Sequence, residues 1–316
     1  MTHITEKVML LMNYPNAYFF PELYKQHIVH PIFDFKINGK MGIVYKVLRE
    51  LHFPLLHLFY GKWKKQLRDC DKIIIFDNGY QPGMEKYITK HAPEHCKIYL
   101  FYWNPILDKR NLFKIKKFRF PENIYSYDYA NCEQYDLKFI PSFYLKTWAD
   151  QFEKTDVRTN KIIFLGHDKG RKDKLYTLYY KFISANIIPD IRIVGGGNSA
   201  DDFLTSQHFK ISYSDYCGQM NECGIILDIV QGNQSGITLR VLESIFFQKK
   251  LITNNSSLYK YDFYSSGNIL LLSDKTSIQE LKDFVKKPMA QYTENILDKY
   301  EFKNWVKNFR QTENSL

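Results

Sequence analysis

Residues 228–243, DIVQGNQSGITLRVLE, bring a carboxylate, two small hydroxyl side chains, an arginine and a second carboxylate into one short stretch. An apolar run ends at Asp228, a polar loop follows, and apolar residues at helical spacing begin near Gly236 to Thr238. A helix opening there offers free amide N–H groups and the positive end of its dipole, the arrangement that holds a phosphate or pyrophosphate. Gln234, Ser235, Gly236 and Thr238 line that opening, and Gly236, with no side chain, permits close approach. Further along, Arg240 and Glu243 stand three apart and share a helix face. A glutamate there can accept both hydroxyls of a ribose. The same residues also suit a plain helix cap followed by an i,i+3 ion pair, and spacing leaves both uses open.

Two further strand ends carry similar chemistry. FLGHDKGRKDK runs from an apolar stretch into a loop with Gly166, Arg171 and Lys174. Arg171 offers a bidentate fork for phosphate and Lys174 a point charge, or both decorate an exposed turn. The run IRIV ends at Gly195 and Gly196, where backbone approaches a ligand easily. None of these is a GxGxxG or GxxxxGK[ST] signature.

In the first half, Asp77 directly follows KIIIF. A carboxylate at a strand end is a candidate general base, with His30 and then His27 behind it; an Asp-Asn-Gly turn also favours the same residue. Asn13 and Tyr14 follow the first apolar run, and Trp103 and Asn104 follow another, so these four are expected on an acceptor side. Asp69-Cys70-Asp71 has the form of a metal-binding DxD but precedes an apolar run instead of following one.

These sites need elements to hold them. Short apolar runs alternate with helical stretches: Lys7–Met12, Lys72–Phe76, Lys97–Tyr102 and Asn123–Tyr127, then Lys161–Leu165, Ile191–Val194, Gly224–Leu227, Lys250–Thr253 and Ile269–Leu272. The rhythm predicts an α/β fold with parallel sheets, in which ligands bind beyond the carboxyl ends of the strands. Helices are expected at Lys172–Ala185 and Thr238–Gln248, and a long helically spaced segment spans Met41 to Trp63. The polar stretch Lys146–Asn160 reads as a linker, dividing an N-terminal domain over 1–150 from a C-terminal, donor-binding domain over 151–316. The last helical stretch, with Trp305, Val306 and Phe309 on one side, is expected to pack back on the first domain.

The chain has 316 residues with a net charge of +10, and its first 150 carry 22 Lys and Arg against 15 Asp and Glu. Lys109, Arg110, Lys114, Lys116, Lys117 and Arg119 interleave with Phe113, Phe118 and Phe120, a pattern suited to an anionic membrane surface or to a solvated face. Charge alone motivates a nucleic-acid partner, and none is expected. Five cysteines without a CxxC pair argue against a disulfide framework or zinc site and for a reducing compartment. With no signal-like or membrane-spanning run, the chain is expected in the cytoplasm, with the inner face of the plasma membrane as a peripheral resting place.

The run GITLRVLESIFFQKKLITNN, Gly236 to Asn255, resembles the donor-binding helix and following strand of GT-B glycosyltransferases, and GHDKGRKDKL and IRIVGGG precede it in the order that superfamily uses. IIIFDNGY, YLFYWNPI and NIYSYDYANCEQYDLKFIPSFY resemble segments of bacterial capsule and lipopolysaccharide glycosyltransferases. The resemblance implies two Rossmann-like domains facing across a cleft and transfer of a hexosyl or related sugar from a nucleotide donor to a hydroxyl of a surface-glycan acceptor, often lipid-linked. It also implies that the nucleotide-sugar is a substrate and that neither cofactor nor metal is needed. Glu243 matches the second glutamate of the E-x7-E pattern, implying a hold on the donor ribose, while Ser235 stands where the first would be. A non-catalytic nucleotide- or glycan-binding module and a nucleotide-sugar epimerase of the same architecture are the alternatives.

Overall fold

The computed structural model describes residues 6–13, 20–36, 39–51, 53, 55–106, 109–152, 158–194, 204–206, 211–232 and 234–309. Its central strands are continuous apolar runs buried on both faces, as parallel strands covered by helices on either side must be. They form two Rossmann-like α/β units, Met1–Ile140 with Lys307–Leu316, and Pro141–Val306.

The first unit runs β1 (Val8–Met12), α1 (Pro21–Lys25), β2 (Val29–Pro31), α2 (Lys40–Glu50), β3 (Lys72–Phe76), α3 (Met84–His91), β4 (Lys97–Tyr102), α4 (Lys109–Lys117), β5 (Ile124–Ser126), α5 (Tyr129–Tyr135) and β6 (Lys138–Phe139). The strands pair in parallel in the order β2-β1-β3-β4-β5-β6. Alternate residues Met9, Leu11, Ile73, Ile75 and Leu100 pack on one face against Trp63, Leu67, Met84 and Ile88. Phe309 lies against Tyr99, Phe101 and Tyr125 of the same unit. Strands β2 and β6, with three and two residues, are too short to show any periodicity in the sequence.

The second unit runs α6 (Lys146–Asp150), β7 (Arg158–His167), α7 (Lys172–Ser184), β8 (Ile188–Val194), β9 (Thr205–Ser206), α8 (Tyr213–Asn221), β10 (Cys223–Asp228), α9 (Leu239–Phe246), β11 (Lys250–Thr253), β12 (Ile269–Leu271), α10 (Ile278–Lys286), α11 (Glu294–Tyr300) and α12 (Phe302–Trp305). Its sheet is also parallel, in the order β12-β11-β10-β7-β8-β9. A Cβ on Gly224 would lie 2.5–2.7 Å from the Thr159 backbone, so β10 and β7 approach closely where their register shifts.

The expected linker is in part helix. Trp148 of α6 is buried edge-on to Tyr213, with ring centres 4.8 Å apart. Upstream, Tyr144 N–H donates to Tyr300 O (2.9 Å), Phe302 N–H to Tyr144 O (3.1 Å) and Trp305 Nε1 to Pro141 O (2.7 Å). These bonds tie 141–150 to the chain's last helices, so the first unit ends ten residues before the expected boundary at 150. Helices α11 and α12 therefore belong to the second unit, and the chain rejoins the first at Lys307.

Candidate functional site

In the second sheet, strand order runs one way from β7 to β9 and the other way from β10 to β12. The reversal falls between β7 and β10, and the crevice beyond such a point is where open α/β sheets bind ligands. The loops after β7, β10 and β11 are knit together there. Val230 N–H donates to Asn254 Oδ1 (2.7 Å), Asn255 Nδ2 to Gly236 O (3.1 Å) and Gln231 Nε2 to Lys169 O (3.0 Å).

Asp228, fully buried at the end of β10, anchors this edge. Thr238 Oγ1 donates to its Oδ1 (2.9 Å) and Thr253 Oγ1 to its Oδ2 (3.0 Å). Thr238 is also the N-cap of α9, accepting from Val241 N–H at 3.4 Å. Burial raises the Asp228 pKa, opposed by Arg240 and the two threonine hydroxyls.

Two arginines converge above it. Arg240, in the first turn of α9, donates from Nη2 to Leu165 O (2.6 Å) and holds Nη1 4.0 Å from Asp228 Oδ1. Its Nε is buried and donates to no acceptor among the described residues. Arg171, just ahead of α7, donates from Nη1 to Ile229 O (2.5 Å), from Nη2 to His167 O (2.7 Å) and from Nε to Asp168 O (3.1 Å). Asp168 Oδ1 accepts the Arg171 and Lys172 amides (2.9 and 2.8 Å), which starts the helix. A Cβ built on Gly166 would meet Arg240 Nη2 at 2.6 Å and Arg171 Nη2 at 3.4 Å, so both guanidinium groups crowd this one glycine. Burial first and then the neighbouring Arg240 charge lower the Arg171 pKa to about 10. Partial desolvation, and after it both guanidinium charges, also lower that of Lys169. The site is cationic and helix-capped, which suits a diphosphate.

The i,i+3 ion pair between Arg240 and Glu243 does not form. Arg240 turns to β7 and β10, while the 1% exposed Glu243 faces a tyrosine cluster. Tyr213 OH donates to its Oε1 (2.8 Å), Tyr216 OH lies 3.5 Å from Oε2, and Tyr144 OH meets Tyr213 OH at 2.8 Å. Burial lifts the Glu243 pKa to about 7, against the pull of Arg240 and Tyr213. With both oxygens held internally, Glu243 does not present the open carboxylate expected for a ribose.

Other expected donor-side residues divide. Gly166, Arg171, Thr238 and Arg240 come together. Gly236 is buried beneath the loop, Gln234 and Ser235 are half-buried in it, and Lys174 is exposed in the first turn of α7. Gly195 and Gly196 lie outside the described residues. Lys169, Phe164 and Asn255 are contributors that spacing did not single out, and Asp228, read from the sequence only as the end of a strand, takes an anchoring role. An aspartate closing the buried run GIIL was the available signal, since such a charge needs partners.

In the first unit the expected base is instead a tie between loops. Asp77 is 3% exposed. Its Oδ1 accepts from Trp103 N–H (2.9 Å), and Asn104 Nδ2 lies 3.3 Å from Oδ1 and 3.1 Å from Oδ2. Burial raises its pKa, and Lys114 Nζ donates to its backbone carbonyl at 2.5 Å. Buried and already bonded, the carboxylate holds the β3 and β4 ends together and does not stand open as a base. Asn13 N–H donates to Asn78 Oδ1 (3.1 Å), and a Cβ on Gly79 would come within 2.8 Å of the Met12 backbone, so the β1 and β3 ends are equally close. His30 is buried, bonded from Nε2 to His27 O (2.8 Å), with its pKa lowered by burial. Tyr14 lies outside the described residues. The DxD aspartates serve the backbone and neighbouring side chains: Asp71 accepts Lys7 N–H (2.7 Å) and meets His95 Nε2 (2.9 Å), and Asp69 lies 3.5 Å from Lys7 Nζ.

In the basic cluster, Lys116, Lys117 and Arg119 are exposed, whereas Lys114 turns inward to Asp77 and Phe118 is buried. The side chains of Lys109 and Arg110 lie outside those described. Among the described residues no helix is long and apolar enough to cross a membrane.

No protein-family model matches this chain, and no curated protein matches it. Among solved structures it is similar to AviGT4, a glycosyltransferase involved in avilamycin A biosynthesis, at 11% sequence identity and a TM-score of 0.46. That similarity covers 70% of this chain and 66% of AviGT4, so the chain spans just under two thirds of that protein's length.

Proposed function

We propose that this chain is a GT-B glycosyltransferase that moves a sugar from a nucleotide donor to a hydroxyl of a surface-glycan acceptor of the capsule or lipopolysaccharide type. One arrangement carries this reading: Arg171 and Arg240 crowd Gly166 at the switch point of the second sheet, above the buried Asp228. In the reaction the bond from sugar C1 to the diphosphate oxygen breaks, the acceptor oxygen forms the new bond, and a base takes its proton. Negative charge then grows on the departing diphosphate. We assign the neutralisation of that charge to Arg240, whose buried Nε has no acceptor among the described residues. Arg171, whose donors already bind three carbonyls, holds the loop and adds to the field. Together with the α9 N-terminus they supply the neutralisation that a metal ion supplies in other transferases.

The test is a thermal-shift screen with UDP-, GDP-, CMP- and dTDP-sugars, followed by an assay for released nucleoside diphosphate. A transferase gives a melting shift with one nucleotide class and slow donor hydrolysis, water acting as a poor acceptor. Binding without release would instead make the chain a binding module, and isomerised donor without release an epimerase. If no nucleotide shifts the melt, the donor-site assignment fails.

A further inference from the structure

Helix α2 buries one face and leaves the opposite one uncovered. Gly42 and Tyr45 face inward, and the Tyr45 ring packs on Phe33 and Phe59 with centres 4.7 and 5.6 Å away. On the other side Ile43, Val44, Val47 and Leu51 fall on one stripe at helical spacing, and the separate 3-10 turn Leu56–Phe59 leaves Leu58, with Leu55 just ahead of it, exposed as well. These six side chains are between 45% and 73% exposed. Apolar side chains standing singly on a surface are ordinary, but a contiguous stripe of this kind marks an interaction site.

The charges around the stripe are mainly basic. Lys40 heads it and Lys46 flanks it, both exposed, and the only acid in the helix, Glu50, is paired with Arg49 at 3.0 Å. Helix α4 adds exposed Lys116, Lys117 and Arg119. Both helices adjoin the loop after β3, α2 through Tyr45 OH to Gln81 Oε1 (3.4 Å) and α4 through Lys114 Nζ to Asp77 O (2.5 Å). A second copy of this chain would bring like charge against like in a self-complementary contact. An anionic bilayer supplies what the surface matches, an apolar interior beneath negative headgroups.

We propose that the α2 stripe, with its flanking lysines, seats this protein on an anionic lipid surface, Val47 and Leu51 entering the headgroup–acyl boundary. The inference is independent of the transferase reading, because vesicle binding requires neither donor nor turnover. The experiment is co-sedimentation of the full chain with vesicles of phosphatidylcholine alone or mixed with phosphatidylglycerol, at low and high salt. The full chain is expected to sediment with the mixed vesicles, less so at high salt, and to stay in solution with phosphatidylcholine. Val47→Gln/Leu51→Gln should weaken binding by about tenfold or more, with an unchanged melting curve because both positions are exposed. Ile43→Gln/Val44→Gln is the second variant should the first fail to fold. Undiminished vesicle binding in both variants, or no binding by the parent chain, overturns the proposal. So does a concentration-dependent dimer that the variants abolish while vesicles are ignored, which would assign the stripe to a second copy.

Discussion

Arg171 and Arg240 both set their guanidinium groups over the ring of Phe164, 5.1 and 4.6 Å from its centre, although one precedes α7 and the other sits in α9. Two like charges persist side by side because the ring face, the buried Asp228 and backbone carbonyls all draw on them. Removing Arg240 leaves Asp228 buried without its cation. Arg240→Met is therefore expected to cost about 2–4 kcal/mol in urea unfolding. The same change should weaken nucleotide-sugar binding by about 10- to 100-fold in calorimetry. Adding Asp228→Asn should recover most of the stability and none of the affinity. Wild-type affinity in Arg240→Met would remove the phosphate role.

Gly166 offers a gentler probe of the same site. Its substitution by alanine puts a methyl group against Arg240 Nη2, the far end of a flexible side chain, so the arginine can move at little cost. Gly166→Ala should unfold within about 1 kcal/mol of the parent yet bind nucleotide-sugar about tenfold more weakly, through lost positioning. A large stability loss with intact binding would mean that the glycine serves packing alone.

Glu243 predicts a pH dependence. Its pKa is about 7 in the folded chain against the ordinary 4.5, with burial the main cause. Between those values the folded protein keeps a proton that the unfolded chain has released. Stability must fall as pH rises through the interval, by about 3 kcal/mol in all. Glu243→Gln removes that slope, so the variant should be the more stable of the two at about pH 8 and no better near pH 4.5. Parallel pH profiles from urea unfolding of parent and variant would contradict the burial of an ionisable Glu243.

Lys250 closes the end of a helix from outside it. Its buried Nζ donates to the carbonyls of Phe284 (2.6 Å), Val285 (2.9 Å) and Lys287 (2.5 Å) at the C-terminus of α10. Lys250→Met keeps the stem but strands those acceptors, and a loss of about 2–4 kcal/mol in chemical unfolding is expected. Hydrogen exchange should show α10 opening first; uniform exchange along the chain would argue against this capping role.

The central strands were legible because each is a run of consecutive buried residues, a pattern that survives without its context. The edge strands β2, β6 and β9 were not, since two or three residues carry no period and their pairing comes from the neighbouring strand. Helix α6 was not legible within the expected linker, because Trp148 stands among polar residues and only Tyr213 of α8 makes it core.

From the sequence alone came two α/β halves, the ends of their central strands, and the helix opening after Asp228, all set by local periodicity and by residues with special backbone chemistry. What each side chain faces was decided by the tertiary structure. Helical spacing placed Arg240 and Glu243 on one face, but the elements packed against that face differ along its length. Arg240 meets the ends of β7 and β10, where carbonyls and Asp228 draw in a cation. Glu243, one turn on, meets the hydroxyls of Tyr213 and Tyr216 from α8. Spacing sets the direction of a side chain, and only the folded chain brings the distant residue that it meets there.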